Sequence, residues 1–518
     1  MCVDDRPTIA APDDDPYLWL EEVEGERALG FVETQNRRTL EKFGGASFTD
    51  DRDMLAAIYD RPDNIPYVTR HGGFLYNLWK DTNNPRGLWR RTTIEEFRKP
   101  NPQWDAVLDI DKLAAEGIRF TSCYAGSTVC APSRCALMTG LHSGHGTIRG
   151  NAAVALQPSD VTLAEVLKSA GYNTCLIGKW GLGDENTTGV PQKKGFNEFV
   201  GYLNQTHAHD YYTDHLWRFD PRTGWDGPEE LPENRDNKKE LYTPDLFALA
   251  ANNFIRINKP EARKPNRPFF LYFADIIPHA NNEEGKRSGN GLQVPTNAPY
   301  SQEPWPAVEK NKAAMITRLD NDVGTIMKRL KDSKMDENTI VFFTSDNGPH
   351  KEGGADPEFF KSSGPLRGIK RDLYEGGIRV PMIVRWPGMI KPGQVSDQVL
   401  AFWDVLPTLA ELVRAKTPQN LDGISMLPAI LGKPQTNQHA FLYWEFHERG
   451  SQQAVRMGDW KAVRLAPGEP LELYDLARDL GEKTNVAKEH PEVVAKIEAY
   501  LKTARTASDK WPIRAAKK

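Results

Sequence analysis

The chain has 518 residues, of which 39% are hydrophobic and 26% charged, so it can form more than one globular domain. Its formal net charge of −5 is small for this length and argues against a general affinity for nucleic acid or anionic membranes. No apolar run is long enough to span a bilayer, and the acidic N-terminus lacks the apolar stretch of a signal peptide. These features predict a soluble, cytoplasmic protein without a membrane partner.

The first 110 residues combine helix and hairpin patterns. In chain order they predict a helix that ends at Lys42, a helix over 51–59, a hairpin with strands at 66–70 and 74–79, and strands at 87–93 and 104–109. The hairpin strands alternate β-forming residues on both sides of a His-Gly-Gly turn. We expect these elements to be appended to the domain that follows.

From Asp111 strands alternate with helices, which indicates βα units and a mainly parallel central sheet flanked by helices. The predicted helices are 135–139, 162–169, 243–257 and 310–331, and the predicted strands are 173–177, 268–274 and 339–344. Near the end, strands at 440–446, 454–456, 460–464 and 472–475 precede a helix over 491–503. This last group predicts a small C-terminal α+β lobe with an antiparallel sheet.

Polar side chains follow the three predicted strands of the α/β part. Lys179 follows the first, His279 the second, and Asp346 with Asn347 the third. Taken singly, each has a simpler explanation as a solvated lysine, a surface histidine or an Asx turn. Because functional groups gather past the carboxyl ends of strands in open α/β sheets, we expect the four to converge on one site. Asp346 and Asn347 offer the hard oxygen ligands that calcium or magnesium prefers.

Cys130 lies just before a predicted helix, and Pro132 suits the first turn of that helix. Helix N-termini favour anions, so one interpretation is a reactive thiolate or an anion-binding turn. The other is a buried structural thiol, which is the commoner role of an isolated cysteine. For the remaining four cysteines we expect buried or free thiols, because no Cys-x-x-Cys spacing indicates zinc.

The run Cys130-Ala131-Pro132-Ser133-Arg134, with Thr139-Gly140 behind it, resembles the signature of the formylglycine-dependent, arylsulfatase-like sulfatases of the alkaline phosphatase superfamily. The resemblance continues in family order through GYNTCLIGKWGLG, RPFFLYFADIIPHA, TIVFFTSDNGPH, PLRGIKRDLYEGGIRVPMIVRWPG and LELYDLARDLGEKTNVA, and covers residues 111 to about 505. It implies an alkaline-phosphatase-like sandwich, with a catalytic domain over 111–435 and a C-terminal subdomain with a basic tail over 436–518.

The same resemblance implies hydrolysis of sulfate esters, with a sulfated carbohydrate as the natural substrate. Cys130 would be oxidised to formylglycine by a sulfatase-maturing enzyme that recognises Cys130, Pro132, Ser133 and Arg134. The hydrated aldehyde would attack sulfur, and a divalent cation, calcium or alternatively magnesium, would hold the attacking hydroxyl and a sulfate oxygen.

The resemblance also implies roles for the remaining site residues, from their positions in the family motifs. Arg134 would steady the formylglycine, and Lys179 and Lys370 would bind sulfate oxygens. His279 would protonate the leaving alcohol. Asp346 and Asn347 would be two of the metal ligands.

The chain departs from the family pattern at two places. Gly181 stands where the lysine motif usually has a histidine that helps to handle the diol, and His207 or His209 could reach the site instead. The second departure is the apolar first strand of sulfatases, which ends in an Asp-Asp pair of metal ligands. In this chain the preceding region has no such pair, and Asp109, at the end of a predicted strand, is the nearest candidate.

Residues 1–110 resemble the opening of the prolyl oligopeptidase family, from its first helices into the first propeller blade. The resemblance rests on DPYLWLEEVEGERALGFVETQN, GGFLYNLWKD and WDAVLDID. No peptidase domain follows, because neither Ser47 nor Ser425 completes a Gly-x-Ser-x-Gly elbow. The two patterns meet in LDIDKLAAEGIRF, which predicts a chimera in which the peptidase start replaces the first strand and metal loop of a sulfatase.

Three functions are therefore open. The first is sulfate ester hydrolysis through a formylglycine and a divalent cation. The second is phosphate or phosphonate ester hydrolysis, which belongs to the same superfamily. The third is an inactive chain, because two carboxylate ligands are missing and one carboxylate with one amide holds a hard cation weakly.

Overall fold

The computed structural model describes Trp19 and residues 25–59, 68–71, 74–79, 88–99, 101–106, 109–259 and 267–514. The chain divides into two compact units, Met1–Asp105 and Ala106–Lys518. No helix in the described ranges is both long and apolar enough to cross a bilayer.

The first unit contains the predicted helices and hairpin. Its elements are α1 (Glu26–Phe43), α2 (Ala46–Tyr59), β1 (Thr69–His71), β2 (Phe74–Trp79), β3 (Leu88–Thr93) and α3 (Ile94–Phe97), and the short strand β4 (Asp105–Ala106) begins at its last residue. The strands form one sheet in the order β1-β2-β3-β4, and the β1–β2 and β2–β3 pairs are antiparallel. Leu29, Leu40 and Phe43 of α1 are 48%, 53% and 62% exposed, so this helix covers little apolar surface.

The predicted strand at 104–109 is wrong at its carboxyl end. Only Asp105–Ala106 is a strand, residues 107–108 lie outside the described residues, and Asp109 begins helix α4 (Asp109–Ala115). The reason is local, because an aspartate suits the first turn of a helix and Lys112 to Ala115 are strong helix formers. Asp109 therefore does not end an apolar strand.

The second unit alternates helices and strands. Its further helices are α5 (Cys130–Thr139), α6 (Leu163–Ser169), α7 (Thr243–Ile257), α8 (Asn282–Ser288), α9 (Ala307–Asp332), α10 (Glu375–Ile378), α11 (Val405–Leu412), α12 (Leu427–Ile430) and α13 (Pro491–Leu501). Its strands are β5 (Ile118–Tyr124), β6 (Asn173–Lys179), β7 (Glu198–Tyr202), β8 (His215–Asp220), β9 (Trp225–Glu230), β10 (Phe269–Ala274), β11 (Val341–Thr344), β12 (Arg379–Arg385), β13 (Gln394–Ser396), β14 (Leu400–Ala401), β15 (Leu442–Phe446), β16 (Gln452–Met457), β17 (Trp460–Arg464) and β18 (Glu472–Asp475).

These strands form a mixed, helix-flanked architecture with a separate antiparallel sheet. One sheet has the order β10-β6-β7-β8-β9, in which the β10–β6 and β6–β7 pairs are parallel and the β7–β8 and β8–β9 pairs antiparallel. A second has the order β11-β12-β5-β13, with β14 also paired to β5. The third, β15-β16-β17-β18, is antiparallel throughout and is the predicted C-terminal lobe.

The alternating side chains of β6 explain why helices cover both faces of the β10-β6-β7-β8-β9 sheet. Leu176 packs into a core cluster with residues of α6 and α11, whereas Cys175 and Ile177 pack into another with residues of α7 and α9. Successive side chains of a strand point to opposite faces, so a continuous apolar run is buried on both. Lys179, the last residue of β6, therefore lies at the carboxyl edge of a buried sheet.

Helix α5 begins earlier than the sequence pattern predicts, at Cys130 instead of residue 135. Pro132 lies in its first turn, where a missing backbone N–H costs nothing. Gly140 ends the helix with a φ of 71°, a left-handed conformation that suits glycine, and donates its N–H to Ala136 O. Cys130 is thus a helical residue whose neighbouring backbone N–H groups point out of the helix N-terminus.

The C-terminal sheet packs on both faces. Val493, Ile497 and Leu501 of α13 cover one face, and Trp444 on the other donates its indole N–H to Ala125 O at 2.9 Å. Lys461 of β17 is fully buried, and its ammonium lies 3.0 Å from a Glu375 carboxylate oxygen and 3.5 Å from one of Glu482. This buried triad ties the lobe to α10.

We predict that Lys461→Met lowers the free energy of unfolding by about 3–5 kcal/mol, because it leaves the buried Glu482 carboxylate without a cation and Glu375 with Arg379 alone. Urea denaturation followed by tryptophan fluorescence measures the change. The matched control is Lys488→Met, which replaces an exposed lysine and should change stability by less than about 0.5 kcal/mol. Equal stability of the two variants would contradict the role given to the triad.

Candidate active site

An ion pair between a buried arginine and a half-buried aspartate joins three elements at the carboxyl edge of the sheets. Arg134, one turn into α5, donates Nε and Nη2 to Asp346 Oδ2 at 3.0 and 2.9 Å. Its Nη1 donates to the backbone carbonyl of Lys179 at the end of β6. Asp346 follows β11, so one guanidinium fixes the start of α5 against the ends of two strands.

Cys130 lies beside this pair. Its Sγ is 3.9 Å from Asn347 Oδ1, and the N–H of Ala131 donates to Asn151 Oδ1 at 3.0 Å. All five residues of the Cys130–Arg134 signature are buried. Ser133 Oγ accepts the N–H of Gly126 at 3.2 Å, so the signature is packed into the structure and does not form an exposed loop.

Lys179 places a buried positive charge at the site. The side chain is 2% exposed, and within residues 109–259 and 267–514 no protein atom accepts a hydrogen bond from its Nζ. Burial, together with the charge of Arg134, holds the pKa of Lys179 below its ordinary value. A buried ammonium without a protein acceptor favours an anionic ligand.

Lys370, the other predicted lysine, has partners. Its Nζ is 2.8 Å from Glu352 Oε2 and 3.2 Å from His279 Nε2. Burial alone would lower the pKa of Lys370, but the neighbouring Cys130 and Glu352 outweigh it, and the pKa is raised. Glu352 also pairs with Arg371, and these two cations hold its pKa at about 2 against the effect of burial. Sequence reasoning missed Glu352, whose one signal is an acidic side chain in the loop that follows Asp346.

His279 follows β10 and lies inside the same cluster. Burial, Lys370 and Lys179 hold its pKa well below 6.5, so the imidazole is neutral at pH 7. Nδ1 lies 2.8 Å from the carbonyl of Ala280, which fixes the ring proton there and leaves Nε2 as the acceptor that faces Lys370.

The histidines named as substitutes for the missing motif histidine differ in position. His209 stacks on His279 with ring centroids 5.0 Å apart, whereas His207 bonds Thr213 Oγ1 at 2.7 Å and stacks on His215. Gly181 has a φ of 78°, and a Cβ there would lie 2.1 Å from Gln205 Nε2. Gln205 therefore fills the space beside the glycine, and His209 is the one that reaches the cluster.

Among the residues that the structure describes, the oxygen donors around Asp346 do not fit a calcium or magnesium site. Asp346 is bonded to Arg134, and the charges of Arg134, Lys179 and Lys370 hold its pKa down although burial would raise it. The one group of three histidine, cysteine, aspartate or glutamate ligands in the described chain is His142, His145 and Asp422, which does not include Asp346. One carboxylate and one amide fall short of the six to eight oxygens that calcium takes.

Comparisons with known proteins show to which family the chain belongs. The family model described as Sulfatase matches residues 95–415, and the model for the C-terminal region of N-sulphoglucosamine sulphohydrolase matches 369–507. Human arylsulfatase A is 33% identical over an alignment that covers 74% of this chain and 80% of that protein. The chain belongs to the sulfatase family. The sulfatases are sulfuric ester hydrolases, and membership implies a metal ion and a formylglycine.

Other sulfatases are similar to this chain over most of its length. An N-acetylgalactosamine-6-O-sulfatase of Bacteroides thetaiotaomicron is 28% identical, with 77% of this chain and 88% of that protein covered. The crystal structure of Ps i-CgsB in complex with k-i-k-neocarrahexaose is similar with a TM-score of 0.62 at 28% identity, covering 76% of this chain and 86% of that one. The predicted fold class, a sulfatase sandwich with a separate antiparallel sheet, is confirmed.

The N-terminal resemblance is confirmed as well. The model for the prolyl oligopeptidase N-terminal β-propeller domain matches residues 10–127. It overlaps the sulfatase match between residues 95 and 127, the stretch in which the two sequence patterns meet.

We predict that Lys370→Met raises the pKa of His279 toward its ordinary value of 6.5, because loss of a neighbouring cation favours the protonated ring. NMR titration of histidine-labelled protein measures it, with the resonance assigned through His279→Gln. Lys391→Met, at an exposed lysine, is the control and should leave the resonance unchanged. A His279 that titrates with an ordinary pKa in the unmodified chain would contradict the electrostatic description.

Proposed function

We propose that this sulfatase acts on a sulfated carbohydrate through a formylglycine made from Cys130. One observation carries the proposal: the buried Lys179 and Lys370 both lie close enough to Cys130 to interact with its charge, and Lys179 has no protein acceptor within the described residues. A sulfate group supplies the acceptor oxygens that such an ammonium lacks. The B. thetaiotaomicron relative and the structure with the neocarrahexaose support a carbohydrate as the substrate class.

Each residue has a task that follows from its contacts. The formylglycine, when formed, supplies a geminal diol as the nucleophile. Arg134 holds the start of α5 against Asp346, which fixes the direction of residue 130. Lys179 and Lys370 stabilise the negative charge on the sulfate oxygens.

His279 serves the leaving alcohol. Its neutral Nε2 accepts from Lys370 Nζ at 3.2 Å, and the negative charge of a bound sulfate raises the pKa of the imidazole. A proton taken up at Nε2 is then available to the ester oxygen. His209, stacked on His279 and 3.1 Å from Glu283, keeps the ring in place.

The modification requires a sulfatase-maturing enzyme, and burial of the signature limits when that enzyme acts. Cys130 is 3% exposed and Arg134 6% exposed, and both are held inside the folded site. A second enzyme cannot enclose a buried segment, so oxidation must precede folding.

The expected cation site is where this chain departs from the sulfatase pattern. We propose that Asp346 and Asn347 bind calcium weakly and that turnover is low, because the donors do not complete a shell. A catalytically poor chain that still binds sulfated ligands is the second candidate, and the shortage of carboxylates favours it.

The N-terminal segment has its own origin. We propose that residues 1–110 derive from a prolyl oligopeptidase start and that 111–435 and 436–518 are the catalytic domain and C-terminal subdomain of a sulfatase. The overlap of the two family matches at residues 95–127 supports a join in this stretch.

The test is mass spectrometry of the Cys130 peptide. Co-expression with a maturing enzyme should give the mass loss that replacing CH2–SH by an aldehyde requires, together with slow release of sulfate from an aryl sulfate. The same enzyme added to the folded chain should leave Cys130 as a thiol.

Two variants control this experiment. Cys130→Ala should abolish both the mass change and the hydrolysis, whereas Cys135→Ala, at a buried thiol outside the oxidised position, should keep both. An unmodified Cys130 after co-expression, or hydrolysis by Cys130→Ala, would contradict the proposal.

A further inference from the structure

A cavity of about 240 Å³ lies against strands β7, β8 and β9, which form one end of the β10-β6-β7-β8-β9 sheet. We call it the hairpin cavity and define it by Phe199 and Leu203 of β7, Trp217 and Phe219 of β8, and Asn186 of the loop after β6. None of the residues that line it belongs to the candidate active site. Pockets for drug-sized ligands have volumes of about 300–1,000 Å³, so this smaller cavity suits a ligand of one ring.

The floor and the walls of the hairpin cavity are apolar. Phe199 and Leu203 are each 3% exposed, and both belong to the core cluster that contains Leu176. Trp217 and Phe219 pack against the same cluster but are only half-buried. Because Phe219 lies opposite Phe199 in the antiparallel β7–β8 pair, the aromatic side chains share one face of the sheet. The two half-buried rings therefore offer aromatic surface to a ligand in the cavity.

The charged side chains that line the hairpin cavity balance one another. Glu185 and Asp226 supply two carboxylates, and Lys193 and Arg218 supply two cations. Asp226 also accepts a hydrogen bond from Gln192 Nε2 at 3.0 Å. An ionic ligand would find no excess of opposite charge here, in contrast to the candidate active site with its surplus of cations. The cavity suits an uncharged ligand with hydroxyl groups, to which amide and carboxylate side chains can bond.

Asn186 brings an available amide to the rim of the hairpin cavity. Its backbone has a φ of 63°, a left-handed conformation that asparagine adopts more readily than most residues. Asp184, two residues earlier, accepts a hydrogen bond from Asn204 Nδ2 at 3.1 Å, which ties this loop to the end of β7. Within residues 109–259 and 267–514 no side chain or backbone group bonds to the Asn186 amide. Its donor and acceptor are therefore available to a ligand.

The hairpin cavity borders the strand end that carries Lys179. Lys179 pairs with Tyr202, the residue before Leu203, across the parallel β6–β7 ladder. Gly181, two residues after Lys179, donates its N–H to Leu203 O at 2.9 Å. One wall of the cavity is thus bonded directly to the chain that leaves the candidate active site. A carbohydrate of several rings is long enough to occupy both places.

We propose that the hairpin cavity binds one uncharged sugar ring of the carbohydrate whose sulfate occupies the candidate active site. The ring stacks on Trp217 and Phe219, and its hydroxyl groups bond to Asn186, Gln192 and Asp226. The identity of the substrate as a sulfated carbohydrate rests on the proposed function, whereas the binding of a neutral ring does not. The chain therefore prefers a sulfated oligosaccharide to a sulfated monosaccharide.

The first test uses the full chain with Cys130→Ala and with 5-fluorotryptophan in place of tryptophan. Fluorine NMR should show a shift of the Trp217 signal, assigned through Trp217→Phe, when galactose, N-acetylgalactosamine or glucose is added. The signal of Trp460, a half-buried tryptophan of the C-terminal sheet, should not move. Inorganic sulfate should leave the Trp217 signal unchanged, because the cavity has no excess of cations. No shift with any of the three sugars would overturn the proposal.

The second test compares k-i-k-neocarrahexaose with galactose 4-sulfate by calorimetry on the Cys130→Ala chain. The hexasaccharide should bind at least about tenfold more tightly, because it fills both places at once. Trp217→Ala should lower the affinity for the hexasaccharide at least about fivefold and leave the affinity for galactose 4-sulfate unchanged. The matched control is Trp225→Ala, at a 48% exposed tryptophan of β9 outside the cavity, which should change neither affinity.

A milder variant guards against unfolding by Trp217→Ala. Asn186→Gly keeps the left-handed backbone and removes the amide, so it should lower the affinity for the hexasaccharide about threefold. Equal affinities of the two sulfated sugars, or hexasaccharide binding that neither variant weakens, would overturn the proposal. A shift of the Trp217 signal without any binding of galactose 4-sulfate would contradict the proposed function and leave neutral-ring binding in place. Binding of galactose 4-sulfate without a Trp217 shift would overturn this proposal alone.

Discussion

The ion pair between Arg134 and Asp346 is the interaction on which the site depends. The Arg134 side chain is 8% exposed, and its guanidinium needs a partner because an unpaired buried charge is costly; Asp346 and the Lys179 carbonyl provide it. The pair connects a helix start with the ends of two strands from different sheets. The place of residue 130, one turn before Arg134, follows from this connection.

The charge balance around the pair explains why the two lysines behave differently. Burial would lower the pKa of both lysines. Cys130 and the paired Glu352 outweigh it at Lys370, whose pKa is raised, whereas at Lys179 burial, with the charges of Arg134 and Lys370, outweighs Cys130 and Asp346, and the pKa is lowered. The surplus of positive charge is suited to a sulfate oxyanion. It is unsuited to a divalent cation unless further carboxylates arrive, because Asp346 is already engaged by Arg134.

The sequence predicted part of this site on physical grounds and part through resemblance alone. Lys179, His279 and Asp346 follow apolar strands, and the rule that functional groups lie past carboxyl strand ends brings them together. Lys370 follows no strand, and its role could come only from its family motif. Glu352 was missed, because a single acidic residue in a loop has no periodic or spacing signal.

Errors in the fold have similar causes. The pattern placed Asp109 in a strand because Val107 and Leu108 are apolar, but helix formers follow and helix α4 begins at that residue. The predicted helix began at residue 135, although Pro132 suits a first turn, and the helix in fact begins at Cys130. The placement of β10 and β11 in different sheets could not be predicted, because pairing between strands that are distant in the sequence leaves no local pattern.

Inorganic sulfate can be titrated into the Cys130→Ala chain in a calorimeter. This measures whether an anion site persists here without a complete set of metal ligands. We predict the same affinity for sulfate in EDTA and in millimolar calcium, an affinity about tenfold or more lower in Lys179→Met, and an unchanged affinity in Lys391→Met. Sulfate binding that requires calcium, or that survives Lys179→Met intact, would contradict this prediction.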